Sequence, residues 1–158
     1  MSRVDETAKK IGAVNTLVKE GTDWEGYNTD CSGAISALEA CTSLQGKNVL
    51  ILGSGGTAKA IGYGVKEKGG KLTVTYNKNK ERGESLSKEL DCELAHARDA
   101  GMRAIDVLIN CSPVGMSPNI TESPFLARDF KEGMVVFDSV YNPLETRLLR
   151  EAKSAGCT

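Results

Sequence analysis

The sequence predicts an α/β fold, a doubly wound parallel sheet preceded by a short β-hairpin and a linking helix. Three observations carry this expectation. The apolar run Asn48-Val-Leu-Ile-Leu52 has the length and character of a strand buried on both faces. It leads straight into Gly53-Ser-Gly55-Gly56-Thr-Ala58 and then into a helical pattern. Beyond it, strand-like and helix-like segments alternate at the spacing of βαβ units, whose strands lie parallel with right-handed crossovers.

Each element follows from its local pattern. Ile11-Gly-Ala-Val-Asn-Thr-Leu-Val18 is rich in β-branched residues, and Gly21 and Trp24-Glu-Gly-Tyr-Asn28 supply the turn and second strand of a hairpin. From Asp30 to Ala40, residues Ala34, Ile35, Ala37 and Leu38 recur at helical spacing, with Thr29 or Asp30 as N-cap. Leu44-Gln-Gly-Lys47 breaks that pattern ahead of the apolar strand. A helix from about Thr57 to Lys68 ends at Gly69-Gly70, Leu72-Thr-Val-Thr-Tyr76 is a strand, and Lys80 to Leu90 a helix. A weak strand at Glu93-Leu-Ala-His96 opens residues 92–104, where strand, turn and helix signals overlap. Strong strands follow at Ile105-Asp-Val-Leu-Ile109 and Met134-Val-Val-Phe137. A last helix runs from about Leu144 to Ala155, with Pro143 suited to its first turn.

Composition narrows the function. A chain of 158 residues holds one main domain. Its 20 basic and 21 acidic side chains leave a net charge of -1, so no overall field draws it to nucleic acid or anionic lipid. No apolar run is long enough to span a membrane. Cys31, Cys41, Cys92, Cys111 and Cys157 are odd in number and contain no CxxC pair, which argues against a zinc site or disulfide framework and for reduced, intracellular thiols. No other metal-ligand pattern is present. Met1 to Lys10 is polar throughout, unlike a secretory signal.

The glycine loop is the first motif with chemistry. Following a strand and opening a helix, it is a GxGxxA dinucleotide fingerprint of the Rossmann kind. Gly53 permits the tight turn, Gly55 lets the backbone approach a pyrophosphate, and Ala58 keeps the helix close to the sheet. With Ser54, Gly56 and Thr57, these residues place helix N-terminal amides where a phosphate can accept from them. The bland alternative is a tight turn without a ligand. After the next strand comes Asn77-Lys78-Asn79-Lys80-Glu81-Arg82, with no carboxylate at the strand end and three cations in reach of a 2′-phosphate. This favours NADP over NAD, against the alternative of a solvated basic turn. Asn110-Cys-Ser-Pro-Val-Gly-Met116 follows the fourth strand, so Asn110, Ser112 and Gly115 are expected to line the cofactor cleft, unless the segment is a structural Pro-Gly loop. Asp30 suits either helix capping or catalysis. Asn15, in a mostly apolar strand, needs a hydrogen-bond partner if buried. His96 reads as a structural or surface residue, and Cys111, in the cofactor loop, is the one thiol of interest.

In their order, Gly12-Ala-Val-Asn-Thr16, Gly26-Tyr-Asn-Thr-Asp30, Gly53-Ser-Gly-Gly-Thr-Ala-Lys-Ala60, Asn77-Lys78 with Arg82, and Tyr141-Asn-Pro-Leu-Glu-Thr146 resemble the shikimate dehydrogenase family over nearly the whole chain. Ala60-Ile-Gly-Tyr-Gly-Val-Lys-Glu-Lys-Gly69 looks most like the plant-type enzymes, in which this unit is fused behind a dehydroquinate dehydratase domain. The resemblance implies reversible reduction of 3-dehydroshikimate to shikimate with NADPH, by a lysine and an aspartate at a cleft between substrate and cofactor domains. Asp30 matches the aspartate, Asn15 a shikimate-hydroxyl ligand, and Tyr141 a residue on the substrate side of the nicotinamide, with Val140 beside it as a cofactor contact. Asn77, Lys78 and Arg82 match the clamp on the adenosine phosphate, although Lys78 stands where the family usually has arginine.

The resemblance further implies that residues 1–43 are a remnant of the substrate domain and residues 44–158 the NADP-binding domain, cut short at its C-terminal end. The family's lysine would precede Met1 and a glutamine would follow Thr158, so the chain alone is expected to bind NADP yet turn over poorly or not at all. The compartment implied is the cytoplasm, or the plastid for a plant protein. Two other readings stay open. One is a different NADP enzyme with a similar core, such as quinate dehydrogenase or glutamyl-tRNA reductase; Asn15 and Asn28-Thr29-Asp30 speak against the latter. The other is a non-catalytic dinucleotide-binding or interaction module, self-associating through a sheet edge left open after the last helix.

Overall fold

In the computed structural model, which describes residues 3–158, two sheets share one chain. The N-terminal sheet is small. β1 (Arg3–Val4) lies parallel to β3 (Asp23–Tyr27), which pairs antiparallel with β2 (Thr16–Glu20), Leu17 opposite Gly26. The hairpin is as expected, but its first strand begins five residues late. Glu6–Ile11 instead forms a helix, α1, because Asp5 accepts from the amides of Thr7 and Ala8 at one end and Gly12 closes the other at φ 70°. Asn15 therefore sits just before β2, its backbone N–H donating to Tyr27 O at 3.0 Å, and not inside an apolar strand.

α2 (Thr29–Glu39) links the two sheets. Its N-cap is Asn28, whose side chain accepts from the Cys31 amide at 3.2 Å, so neither Thr29 nor Asp30 has that role. The second sheet holds β4 (Asn48–Leu52), β5 (Lys71–Tyr76), β6 (Glu93–His96), β7 (Val107–Asn110) and β8 (Val135–Asp138), all parallel, in the spatial order β6-β5-β4-β7-β8. The chain steps outward from β4 to β6 and then returns to β7 on the other side of β4. The crevice between the C-terminal ends of β4 and β7 is thus the switch point of the fold.

Alternation along β4 shows why this strand is apolar throughout. Val49 and Ile51 face one side, where α3 (Gly56–Glu67) and α4 (Lys80–Glu89) pack with Ile11 and α2 residues Ala34, Ile35 and Leu38. Leu50 and Leu52 face the other, against Phe125, Phe130, Leu148 and Ala152. On that second face the only α-helix among the described residues is α5 (Arg147–Ser154); the rest is two 3₁₀ turns, Ala97–Met102 and Ala127–Asp129, and irregular chain. α5 starts three residues later than its sequence pattern suggests. Thr146 is the N-cap, accepting from the Leu149 amide, and Pro143 lies in the preceding loop. β7 and β8 are likewise displaced toward their polar C-terminal residues, Asn110 and Asp138. At the far edge, Thr158 donates to Met134 O and accepts from Val136 N, the bridge of a parallel strand beside β8.

α2 reaches α3 through a glycine. A Cβ on Gly64 would lie 2.5 Å from Ile35 Cγ1 and 2.9 Å from Cys31 Sγ, so the two helices are closer than any other residue there allows. No helix among the described residues is long and apolar enough to cross a membrane.

Candidate functional site

The glycine loop occupies the switch point. Gly53 leaves β4 at φ 115°, and its amide donates to the Thr75 hydroxyl of β5 at 3.2 Å. A Cβ there would stand 3.1 Å from Cys111 O and 3.3 Å from Ser112 N, so both backbone angle and space require glycine. Gly55 is the N-cap of α3 and brings no capping side chain. The first amides of the helix, at Gly56, Thr57 and Ala58, are therefore left for an outside acceptor, and the helix dipole makes that acceptor an anion. Ser54 completes the turn.

Cations stand beside it. Asn79 caps α4 by accepting from the Arg82 amide at 2.9 Å, which fixes where the Arg82 side chain starts. Its Nη2 lies 3.5 Å from the place a Gly55 Cβ would take, directly over the loop. Among the described residues neither Arg82 nor Lys78 has a carboxylate within 4.0 Å. Lys80 differs: its Nζ pairs with Glu84 Oε1 at 3.2 Å along the helix. The expected trio of cations is in this way reduced to Lys78 and Arg82, with the exposed Asn77 at the strand end.

Across the crevice, Asn110 is fully buried, at 0% exposure, and its side chain is wholly engaged within the protein. Its Oδ1 accepts from Ser112 N and Oγ, and its Nδ2 donates to Val114 O and, at 2.9 Å, to Asp138 Oδ1. Asp138 in turn accepts from Val140 N at 3.0 Å and, at 2.6 Å, from the buried Thr146 hydroxyl. Contrary to the expectation that it lines the cleft, Asn110 shapes it, because a polar side chain at the end of a buried strand must satisfy itself locally. Ser112 lies on the wall of a cavity that Gly53 also lines, and Val140 is buried with its amide tied down. Tyr141, next to it, is 82% exposed and points away from the core.

Asn15 and Asp30 come together at the start of α2. Asn15 Oδ1 accepts from the Thr29 amide at 2.9 Å, from Thr16 Oγ1 at 2.9 Å and from Thr29 Oγ1 at 3.2 Å, leaving its Nδ2 hydrogens to donate elsewhere. Asp30 is exposed in the first turn, and among the described residues no cationic side chain lies within 4.0 Å of its carboxylate. It reaches the cofactor side electrostatically. Burial pushes the Cys111 thiol from its ordinary 9.0 up to about 12, and the carboxylates of Asp138 and Asp30 add to the rise. Cys111 is therefore a protonated, unreactive thiol at neutral pH.

Thr75, Asp138 and Arg98 escaped the sequence reading, whereas His96 was read as a structural or surface residue. Asp138 and Thr75 carried a signal, a polar residue closing or interrupting an apolar strand. His96 accepts from the Arg98 amide at 3.1 Å and so caps the 3₁₀ turn after β6.

No protein-family model matches the chain. The curated shikimate dehydrogenase (NADP(+)) of Syntrophobacter fumaroxidans is 42% identical over 98% of this chain and 55% of that protein. The chloroplastic bifunctional 3-dehydroquinate dehydratase/shikimate dehydrogenase of Arabidopsis thaliana is 40% identical over 97% of this chain and 28% of its own length. Among solved structures, shikimate 5-dehydrogenase from Thermus thermophilus, in complex with NADP(H) and shikimate, matches with a TM-score of 0.86 at 33% identity, covering 99% of this chain and 58% of that one. The chain thus spans little more than half the length of the single-function relatives. In sequence and in fold, over nearly all of its length, it is homologous to the shikimate dehydrogenases.

Proposed function

We propose that this chain carries the NADP-binding part of a shikimate dehydrogenase, an enzyme that interconverts 3-dehydroshikimate and shikimate. One observation carries the proposal. The glycine loop at the switch point opens α3 with uncapped amides, while Arg82 and Lys78 stand beside it without acidic partners. Nicotinamide cofactor bound there supplies the hydride. The cradle fits such a group, since a side chain at Gly53 would collide with the Cys111 carbonyl and the free amides require an anion.

The parts divide the work. Gly53, Ser54, Gly55, Gly56, Thr57 and Ala58 hold the pyrophosphate, and Asn77, Lys78 and Arg82 hold the 2′-phosphate. Ser112 and Val140 line the passage toward the reacting end, and Asn110 fixes its shape. Residues 44–158 make up this cofactor half. Residues 1–43 bring Asn15 and Asp30 to its edge, where the free Asn15 amide hydrogens suit a substrate hydroxyl and Asp30 orients and tunes a proton-donating ammonium. Tyr141 faces the substrate side. The bare Asp30 carboxylate lacks a cation among the described residues, so we expect the 158 residues by themselves to bind NADP without oxidising shikimate. The compartment is cytoplasm, or plastid in a plant.

Calorimetric titration with NADP and NAD, with a shikimate oxidation assay on the same preparation, tests the proposal. NADP should bind at least about tenfold more tightly than NAD, and Arg82→Ala should erase most of that margin. Tighter binding of NAD would refute the phosphate clamp, and clear turnover would refute the incompleteness of the proton-donating site.

A further inference from the structure

We propose that Arg98, held by His96, is the wall on which the purine base of the dinucleotide stacks, and so a determinant of adenine-nucleotide binding; this rests on the NADP assignment above. The observation is a cavity of about 440 Å³ on the opposite side of Gly53 from α3, bounded by Gly53, Asn77, Arg98, Ser112, Val114 and Phe125. Its size is that of a small-ligand site, on the order of 300–1,000 Å³, and its lining combines apolar Leu52, Val114 and Phe125 with polar Asn77, Arg98 and Ser112. It begins where the glycine loop and the β5 end meet, so a base attached to a ribose beside Asn77 has this space to enter.

Arg98 is placed unusually well for an exposed arginine. Its Nε lies 3.1 Å from His96 Nδ1 and its Nη2 lies 3.4 Å from His96 Nε2, so one edge of the guanidinium is held against the two imidazole nitrogens. The imidazole is itself braced, because Nδ1 accepts the Arg98 amide and the Tyr76 ring meets it edge-on at 5.0 Å and 74°. Among the described residues no carboxylate lies within 4.0 Å of Arg98. A planar cation held in a fixed orientation at the mouth of a cavity is a stacking surface for an aromatic base.

The neighbouring cations leave this task open. Lys78 is a point charge on a flexible stem and offers no plane, and Arg82 lies over Gly55, where the phosphates pass. Charge and plane are thus divided between two sides of the strand ends: Lys78 and Arg82 take the phosphate, Arg98 the base. His96 acts through Arg98 and is a positioning residue.

The test uses the full chain, calorimetry with NADP and with 2′,5′-ADP, and melting temperatures for every variant. Arg98→Ala and Arg98→Lys should both weaken 2′,5′-ADP by about tenfold or more, since stacking needs the plane that lysine lacks, while the melting temperature holds. His96→Ala should weaken it less, by about threefold, and leave the effect of Arg98→Ala smaller in the double variant. Lysine restoring parental affinity would show that charge alone matters and overturn the stacking role. Binding by Arg98→Ala within about twofold of the parent would overturn the site altogether. If the parent binds neither probe, the NADP assignment fails and this inference falls with it, an outcome distinct from the other two.

Discussion

Replacing Asp138 with alanine should cost about 3 kcal/mol of stability and loosen the cofactor cleft at the same time. The carboxylate accepts three hydrogen bonds, from Asn110 Nδ2 at 2.9 Å, Val140 N at 3.0 Å and Thr146 Oγ1 at 2.6 Å. Bonds to an ionised acceptor are worth roughly 1.5–3 kcal/mol each, which would total far more if they were independent. They are not. Asn110 retains a long contact to Val114 O at 3.4 Å, and the half-buried carboxylate site admits water to serve Val140. The Thr146 hydroxyl and the one Asn110 amide hydrogen that pointed at Asp138 are out of reach of water, both residues being at 0% exposure, and these two stranded donors set the estimate. Asp138→Asn keeps one acceptor oxygen and should cost only about 1–2 kcal/mol. Urea unfolding monitored by circular dichroism measures both; for a chain of this size 3 kcal/mol is about 6–12 °C in melting temperature. NADP affinity should fall in parallel, because the same bonds hold Val140 and the Ser112 loop. An alanine variant within about 0.5 kcal/mol of the parent would refute the network as the organiser of this side of the cleft.

Gly53→Ala should abolish cofactor binding and destabilise by about 1–3 kcal/mol, because φ is 115° and Cys111 O stands 3.1 Å from the new methyl; calorimetry and thermal melts report each part. Gly64→Ala should cost about 1–3 kcal/mol by driving α2 off α3, and pairing it with Ile35→Ala should recover part of the loss in the same unfolding assay, since the methyl would lie 2.5 Å from Ile35 Cγ1. Cys111 gives a pH test. Its thiol holds its proton up to about 12 when folded but ionises near 9.0 when unfolded, so the unfolded state carries fewer protons between those values. Stability from this group is intact below pH 9 and falls as pH rises toward 12, by up to about 1.4 kcal/mol per pH unit. Cys111→Ala should flatten that part of the curve, and a variant with the parental slope would rule the thiol out as its source. In peptide mapping after brief alkylation of the native protein, exposed Cys41 should be labelled first, and buried Cys31 and high-pKa Cys111 last.

What the sequence revealed, and what it hid, follows from the range of the forces involved. β4 was legible to the residue because its apolar run and the glycines that follow it are local signals, and β6 fell on its expected residues although its own signal was weak. α1 was not. Its six residues look polar, and what makes them helical is a pair of caps, Asp5 and Gly12, together with burial of Ala8 and Ile11 against distant elements. Strand ends moved for a related reason: Asn110 and Asp138 belong to the ladder because each finds its partner in the other, twenty-eight residues away in the chain. In the candidate site, the glycine turn could be read from spacing, and the i,i+4 pair Lys80–Glu84 was open to the same reading, whereas the contact of Arg98 with His96 depends on side-chain directions that spacing does not encode.

The missing side chain at Gly64 sets a tolerance for the whole cleft. With nothing between them, α2 and α3 are seated backbone to side chain, and Asn15 is bolted to the first amide of α2 through Thr29. Asn15, Asp30 and the glycine loop are therefore joined through packed and hydrogen-bonded contacts, which tie the parts that would meet substrate to the parts that would meet cofactor. A single added methyl on α3, far from any reacting atom, would enter this mechanism as a misalignment of the two reactants.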